Sequence, residues 1–118
     1  MANGIEWMYD RKQCTTCKRT RAFLESVACQ VSESVESSKT RFPPEQAYAL
    51  LEGITKLIAT KGKKVLTFDL TAGRPDEETL KSVMIGPSGN LRAPTVKVGT
   101  TMMVGFDEAA YKELLDVA

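Results

Sequence analysis

Histidine is absent from all 118 residues. Serine–histidine–aspartate and cysteine–histidine nucleophiles, imidazole general bases and imidazole metal ligands are therefore excluded. Chemistry in this chain must run on cysteine, carboxylate, lysine or arginine. A dominant charge is missing too: sixteen basic residues nearly balance fifteen acidic ones, for a formal net charge of +1. So even a balance indicates neither direct contact with nucleic acid nor an anionic membrane surface. No stretch approaches the roughly 18 apolar residues needed to cross a bilayer. The opening MANGIEWMYD carries two acids and no long apolar run, unlike a secretion signal. The expectation is a cytoplasmic protein, in a compartment where close cysteine pairs are more often catalytic or metal-binding than structural staples.

What is present describes a folded domain. Hydrophobic residues at 42% and charged residues at 26% match a globular chain rather than a disordered one. The length suits one core and is short for two, so residues 1–118 are read as a single domain.

IEWMY, Ile5 to Tyr9, is short, apolar and aromatic and predicts a buried strand leading into a cysteine loop. From Thr15 to Ala28 the period changes: Phe23 and Val27 share a face with Leu24 and Ala28 beside them, which predicts a helix. CQVSESV alternates weakly and predicts a second strand. Past the connector SSKTRFPPEQ, Ala47, Leu50, Leu51, Ile54, Leu57 and Ile58 recur at helical spacing, with Pro44 at the start and Gly62 beyond the end. On that reading Lys61, Lys63 and Lys64 cap the helix, and residues 31–62 form a largely helical insert. KVLTFDL reads as a strand, and a helix after Pro75 turns Leu80, Val83 and Met84 inward and closes at GPSGN. LRAPTVKV, the Gly99–Thr100 turn and TMMVG read as a hairpin. Asp107 caps a last helix, with Phe106 and Tyr111 at hydrophobic-staple positions. A β-α-β start followed by a hairpin and a helix implies a mixed sheet sandwiched by helices, an α/β fold.

All three cysteines lie in YDRKQCTTCKRTRAFLESVAC. Cys14 falls just before the first helical turn, where unpaired N–H groups and the helix dipole favour thiolate over thiol. Arg11, Lys12, Lys18, Arg19 and Arg21 surround it with no acid between residues 11 and 21, which lowers a thiol pKa further. Cys17, almost one turn on, is within reach to resolve a mixed disulfide. Against this redox reading stand a zinc site and an inert buried pair. A closed zinc site needs more ligands than three cysteines and no histidine supply, unless an acid or a second chain joins. The inert pair conflicts with threonine and basic flanks. Cys29, at a helix end, reads as a core cysteine.

The second informative stretch is NLRAPTVKVG. A cis bond before Pro94 would bend the strand there. If that bend faces the Cys14 loop, the Ala93 backbone is available to an extended substrate by β-addition and Arg92 to an anionic one. An edge-strand proline with a solvated arginine is the plainer alternative.

Together these stretches resemble the thioredoxin superfamily, and more narrowly its ArsC/Spx-related branch of glutaredoxin-linked arsenate reductases and Spx-type regulators. YDRKQCTTCKRT is similar to the opening of that branch, PDEETLKSV to its P-[ST]-x-x-E-L element, and APTV with VGFDEAAYKELL to its closing hairpin and helix. The resemblance implies a thioredoxin-like sheet, a cis Ala93–Pro94 bond, Cys14 as attacking thiol and Cys17 as resolving thiol. It places Arg11, Lys18, Arg92, Ala93, Pro94 and Thr95 on the substrate side. Arsenate reductases of the branch have a loop like C-G-T-S-R-N-T; here Cys17 stands for the serine and Lys18 for the arginine, while Thr20 matches. They carry arginine directly before the proline, whereas Ala93 intervenes here.

Three functions follow as expectations. The first is a glutaredoxin- or thioredoxin-like thiol–disulfide oxidoreductase. The second is an arsenate or other oxyanion reductase, with Arg92, Arg11 and Arg74 around the anion. The third is an Spx-like redox switch that binds a partner protein. No tightly bound cofactor or metal is expected. An external thiol donor, glutathione or thioredoxin, is expected as reductant, a protein or small disulfide as substrate, and a monomer as the working form.

Overall fold

The computed structural model describes residues 4–12, 14–87 and 89–115. The chain opens with β1 (Gly4–Asp10), α1 (Thr15–Ser26) and β2 (Gln30–Glu36), and β1 and β2 pair in parallel. A short helix α2 (Pro44–Ala49) leads to β3 (Lys56–Lys61) and β4 (Lys64–Asp69), an antiparallel hairpin. A single 3-10 turn at Leu70–Ala72 precedes α3 (Glu77–Met84), and β5 (Thr95–Val98), β6 (Thr101–Val104) and α4 (Glu108–Leu115) finish the fold. All six strands join one mixed sheet in the order β2-β1-β5-β6-β3-β4.

Strand alternation divides the core between the two faces of that sheet. Leu57, Ala59, Met102 and Val104 meet α2 and α3 residues such as Ala47, Tyr48, Leu80 and Val83. Ile58, Val96, Val98 and Met103 meet Phe23 and Leu24 of α1 and Tyr111 and Leu115 of α4. The expected closing helix forms as read: Asp107 Oδ2 accepts from the Ala110 N–H at 2.9 Å, and the Phe106 and Tyr111 rings lie 4.9 Å apart.

The predicted helix over residues 47–58 ends at Ala49, and the segment 31–62 is not a largely helical insert. It holds β2, the six-residue α2 and β3. Leu51 and Ile54 are buried as expected, but Gly53 adopts a φ of +82°, which ends helical continuation. The following ITKLIAT is rich in β-branched residues that favour extended backbone. Leu57 to Thr60 are all buried, because β3 is covered on both faces and carries a continuous apolar run rather than alternation. Over so short a span such a run imitates a helix stripe. Lys61 and Lys64 are paired across the β3–β4 turn rather than capping a helix, and Gly62 supplies that turn's positive φ of +62°. Ser88 of the expected GPSGN closure lies outside the described residues.

Helix α1 ends in a left-handed residue that is not glycine. Ala28 has φ +54°, the Cys29 N–H donates to Leu24 O at 2.9 Å and the Ala28 N–H to Glu25 O at 3.1 Å. This is the Schellman pattern, in which glycine is the preferred occupant. Ala28 is exposed, so no packing is lost on removing its methyl. Ala28→Gly should therefore stabilise the protein by about 1 kcal/mol, read as a melting temperature higher by roughly 4 °C; no change or a decrease would contradict the left-handed geometry.

Candidate active site around Cys14

The site is assembled by strand pairing. β1 and β5 run antiparallel with Trp7 opposite Lys97, Met8 opposite Val96 and Tyr9 opposite Thr95. The residues just after β1 and just before β5 must then lie side by side, which sets the Cys14 loop against Ala93–Pro94. The Ala93–Pro94 bond is cis, as the resemblance implies, and Cys14 Sγ lies 3.9 Å from Ala93 O. Pro94 O accepts from the Gly105 N–H at 2.7 Å. Only glycine fits opposite: Gly105 has φ +92°, and a Cβ there would fall 2.0 Å from Thr60 Oγ1.

Cys14 is the N-cap residue of α1, and its sulfur accepts from the Cys17 N–H at 3.4 Å. Partial burial opposes ionisation of this thiol. Hydrogen bonds from the Cys17 backbone and thiol and from the Thr16 N–H, with the positive charge of Arg11, outweigh it and hold the Cys14 pKa below the ordinary thiol value. Cys17 is fully buried. Burial pushes its pKa far up, and its hydrogen bond to Cys14 and the negative charges of Cys14 and Asp10 push the same way. One sulfur is accessible and predisposed to be thiolate, while the other is shielded and stays a thiol.

The basic flank contributes less than its sequence suggests. Arg21 Nη1 donates to both carboxylate oxygens of Asp10 at 2.6 Å and Nη2 donates to Lys12 O at 3.3 Å. Asp10 also accepts from the Arg11 N–H at 2.8 Å. Lys12 pairs with Glu36 at 3.7 Å. Arg11 alone of the five flanking cations acts on Cys14. The Asp10–Arg21 clamp, which ties the loop to α1, has no local signature, because its two members sit eleven residues apart on different elements.

Not every expected substrate residue presents free groups to the neighbouring cleft. Lys18 is exposed on α1 and lines no part of the neighbouring cleft. Thr95 is fully buried, its hydroxyl donating to Arg92 O at 2.7 Å, so it closes the bend rather than facing substrate. The Arg92 guanidinium, expected to meet an anion, donates through Nη1 to Thr60 O at 2.7 Å and Val83 O at 2.9 Å, and through Nη2 to Thr60 Oγ1 at 3.2 Å. Arg74, exposed before α3, also lies outside the cleft. Cys29 is partly buried, packed against the edge of the α1/α4-side core rather than within it, with its sulfur 3.7 Å from Gln30 O.

The cleft beside the site has a volume of about 890 Å³ and is walled in part by Tyr9, Arg11, Lys12, Arg41, Arg92 and Ala93. Arg41, in the connector before α2, was not singled out by the sequence. Among the described residues no group of three or more cysteine, aspartate or glutamate side chains converges on one point as a metal site requires. No helix among them is long and apolar enough to cross a membrane.

The sequence matches the ArsC family over residues 9–114. The chain belongs to the ArsC family. The six-stranded sheet is thus a thioredoxin-like fold, and ArsC members are generally reductases, which agrees with a redox role for the Cys14 loop. No curated protein matches the chain.

Two expectations follow from this geometry. Alkylation of Cys14 should rise with pH to a half-maximum below that of an unstructured cysteine, since the fold favours the thiolate. Cys17→Ala, which keeps the backbone N–H but removes the thiol donor, should move the midpoint upward; a midpoint unmoved and equal to that of a free thiol would contradict the cap. Arg92→Ala should act on stability, because it strips donors from the Thr60 and Val83 carbonyls. Urea denaturation should give a loss of about 2–4 kcal/mol, against no more than about 0.5 kcal/mol for Lys18→Ala.

Proposed function

We propose that this ArsC-family protein is a glutaredoxin- or thioredoxin-like thiol–disulfide oxidoreductase working through the Cys14/Cys17 dithiol. The observation that carries this reading is the asymmetry of the pair: an accessible thiol capping a helix, 3.4 Å from the backbone N–H of a fully buried second cysteine. The Cys14 thiolate attacks one sulfur of a substrate disulfide, forming a mixed disulfide and expelling the other sulfur as a thiolate that takes up a proton. Cys17 then gives up its proton and attacks Cys14 Sγ, releasing the second substrate thiol and leaving a Cys14–Cys17 disulfide. The substrate takes one proton from Cys17 and one from solvent, and the cysteine pair has given up two electrons. An external thiol donor, glutathione or a thioredoxin system, returns them. Ala93, beside Cys14, offers backbone to an extended disulfide substrate, whether protein or low-molecular-weight. The working form in this reading is a cytoplasmic monomer that needs neither a bound cofactor nor a nucleic-acid or membrane partner.

Reduction of arsenate or another oxyanion is the second reading, favoured by the family and by the arginines of the cleft. It ranks below the first because a tetrahedral anion needs fixed, preferably bidentate donors against the thiolate. Arg92, the arginine nearest the proline, has its fork turned to Thr60 and Val83.

The two are separated by parallel assays of arsenate and of a glutathione mixed disulfide with a glutaredoxin or thioredoxin recycling system. Disulfide turnover should be lost in Cys14→Ser, and Cys17→Ser should accumulate a mixed disulfide detectable by mass. Arsenate-dependent turnover without disulfide activity would reverse the ranking.

A further inference from the structure

The cleft next to Cys14 carries more positive charge than favouring the Cys14 thiolate requires. Of its cations, Lys12 is paired with Glu36 and Arg92 is spent on Thr60 and Val83. Arg11 and Arg41 remain, and neither forms an ion pair among the described residues. Both bear on Tyr9, whose pKa burial raises and whose two neighbouring arginines lower it, so the two guanidiniums act on the same part of the cleft wall. Nor is Arg41 on a slack loop. The Tyr9 hydroxyl donates to Thr40 O at 2.8 Å and the Leu91 N–H donates to Phe42 O at 2.8 Å. The residues on either side of Arg41 are thereby fastened to β1 and to the segment entering the cis bend. At the Cys14 end, the Arg11 backbone is held by Asp10, and the cleft reaches Ala93, whose carbonyl is 3.9 Å from the attacking sulfur. A peptide lying along Ala93 with its sulfur on Cys14 therefore extends into a wall bearing two guanidiniums that have no ion-pair partner among the described residues and stand on backbone held in place.

We propose that this cleft makes the protein selective for peptide disulfides that carry a carboxylate close to the reacting cysteine, with Arg11 and Arg41 receiving that carboxylate. The inference rests on the dithiol-exchange reading above and names its substrate class. The bonds made and broken are those of that exchange; the carboxylate binds and orients and is not consumed. Its source is either an acidic residue in a protein segment or the carboxylates of a small peptide such as glutathione.

The test uses the full chain and pairs of synthetic cysteine hexapeptides, alike except for glutamate or glutamine beside the cysteine. Each is activated as the mixed disulfide with uncharged 4-thiopyridine. Cys14 attacks the peptide sulfur and 4-thiopyridone is released, so its absorbance reports the first step. Rates are taken above the Cys14 midpoint, so that every variant is fully thiolate. At low salt the glutamate peptide should react about tenfold faster than its glutamine twin, and the advantage should shrink as salt screens it. In Arg41→Gln the ratio should fall about fivefold. A hexapeptide ratio near one, or one that survives Arg41→Gln, together with a rate for glutathione bearing the same leaving group that Arg41→Gln leaves unchanged, overturns the selectivity while leaving the exchange chemistry standing. Failure of every peptide to react overturns both. Glutathione carrying the same leaving group forms the second arm. If only that arm loses rate in Arg41→Gln, the selectivity stands and the free tripeptide is its source; if the hexapeptides lose it too, acidic protein segments qualify.

Discussion

The antiparallel pairing of β1 with β5 is the constraint on which the site depends. The cysteine loop and the Pro94 bend are separated by more than seventy residues of chain. Matching Tyr9 to Thr95 leaves the two connections no freedom but to lie alongside each other at one edge of the sheet's interior strands. Because β1 and β5 are both interior, with β2 and β6 as their outer neighbours, the register is fixed by apolar side chains on both faces. A slip by one residue would turn Met8 and Val96 to the opposite face. The precision of the site is inherited from the core.

Arg92 supports the same arrangement from the other side. Its backbone N–H donates to Met84 O, its carbonyl accepts from Thr95, and its guanidinium reaches Val83 at the end of α3 and Thr60 at the end of β3. A half-buried cation with three neutral acceptors costs solvation, which is why burial lowers its pKa. That cost is offset by joining α3, β3 and the cis bend at one point. The hairpin β3–β4 is thereby linked to the site through Thr60, and Gly105 must stay small so that Thr60 can sit there.

Much of this was legible in the sequence, for identifiable reasons. Local chemistry read well: Cys14 as a helix cap, the Asp107 cap with its Phe106–Tyr111 staple, the inward face of Leu80, Val83 and Met84, and the hairpin at Gly99. The cis Ala93–Pro94 bond came with the family resemblance. The failures came where the deciding interaction is distant. Leu50 to Ile58 matches a helix stripe, and only β6 and β4, lying on either side of β3, show that its second half is an interior strand. The five cations around Cys14 read as one field, because the Asp10 carboxylate that takes Arg21 lies just outside the basic run and Glu36 lies on another strand. Arg92 looked available to an anionic substrate because nothing near it in sequence announces Thr60. Arg41 sat unnoticed in a connector.

That redistribution of charge changes how the dithiol must be understood. A general positive field would lower both cysteine pKa values, making two competing nucleophiles. Instead the N–H groups at the helix start point at the Cys14 sulfur and favour its ionisation, while burial, the largest influence on Cys17, keeps that thiol protonated. The Asp10 carboxylate has two effects at once. Held by Arg21, it fixes the loop and the Arg11 backbone; carrying its own negative charge, it raises the Cys17 pKa further. As long as Cys14 is an anion, its charge also disfavours ionisation of Cys17. Once Cys14 is spent in a mixed disulfide, that charge is gone and its hydrogen bond with Cys17 is weakened, so Cys17 ionises more readily at the moment it is required. In the proposed exchange, the order of the two attacks is thus set by electrostatic coupling between the sulfurs themselves, and it does not depend on a histidine base.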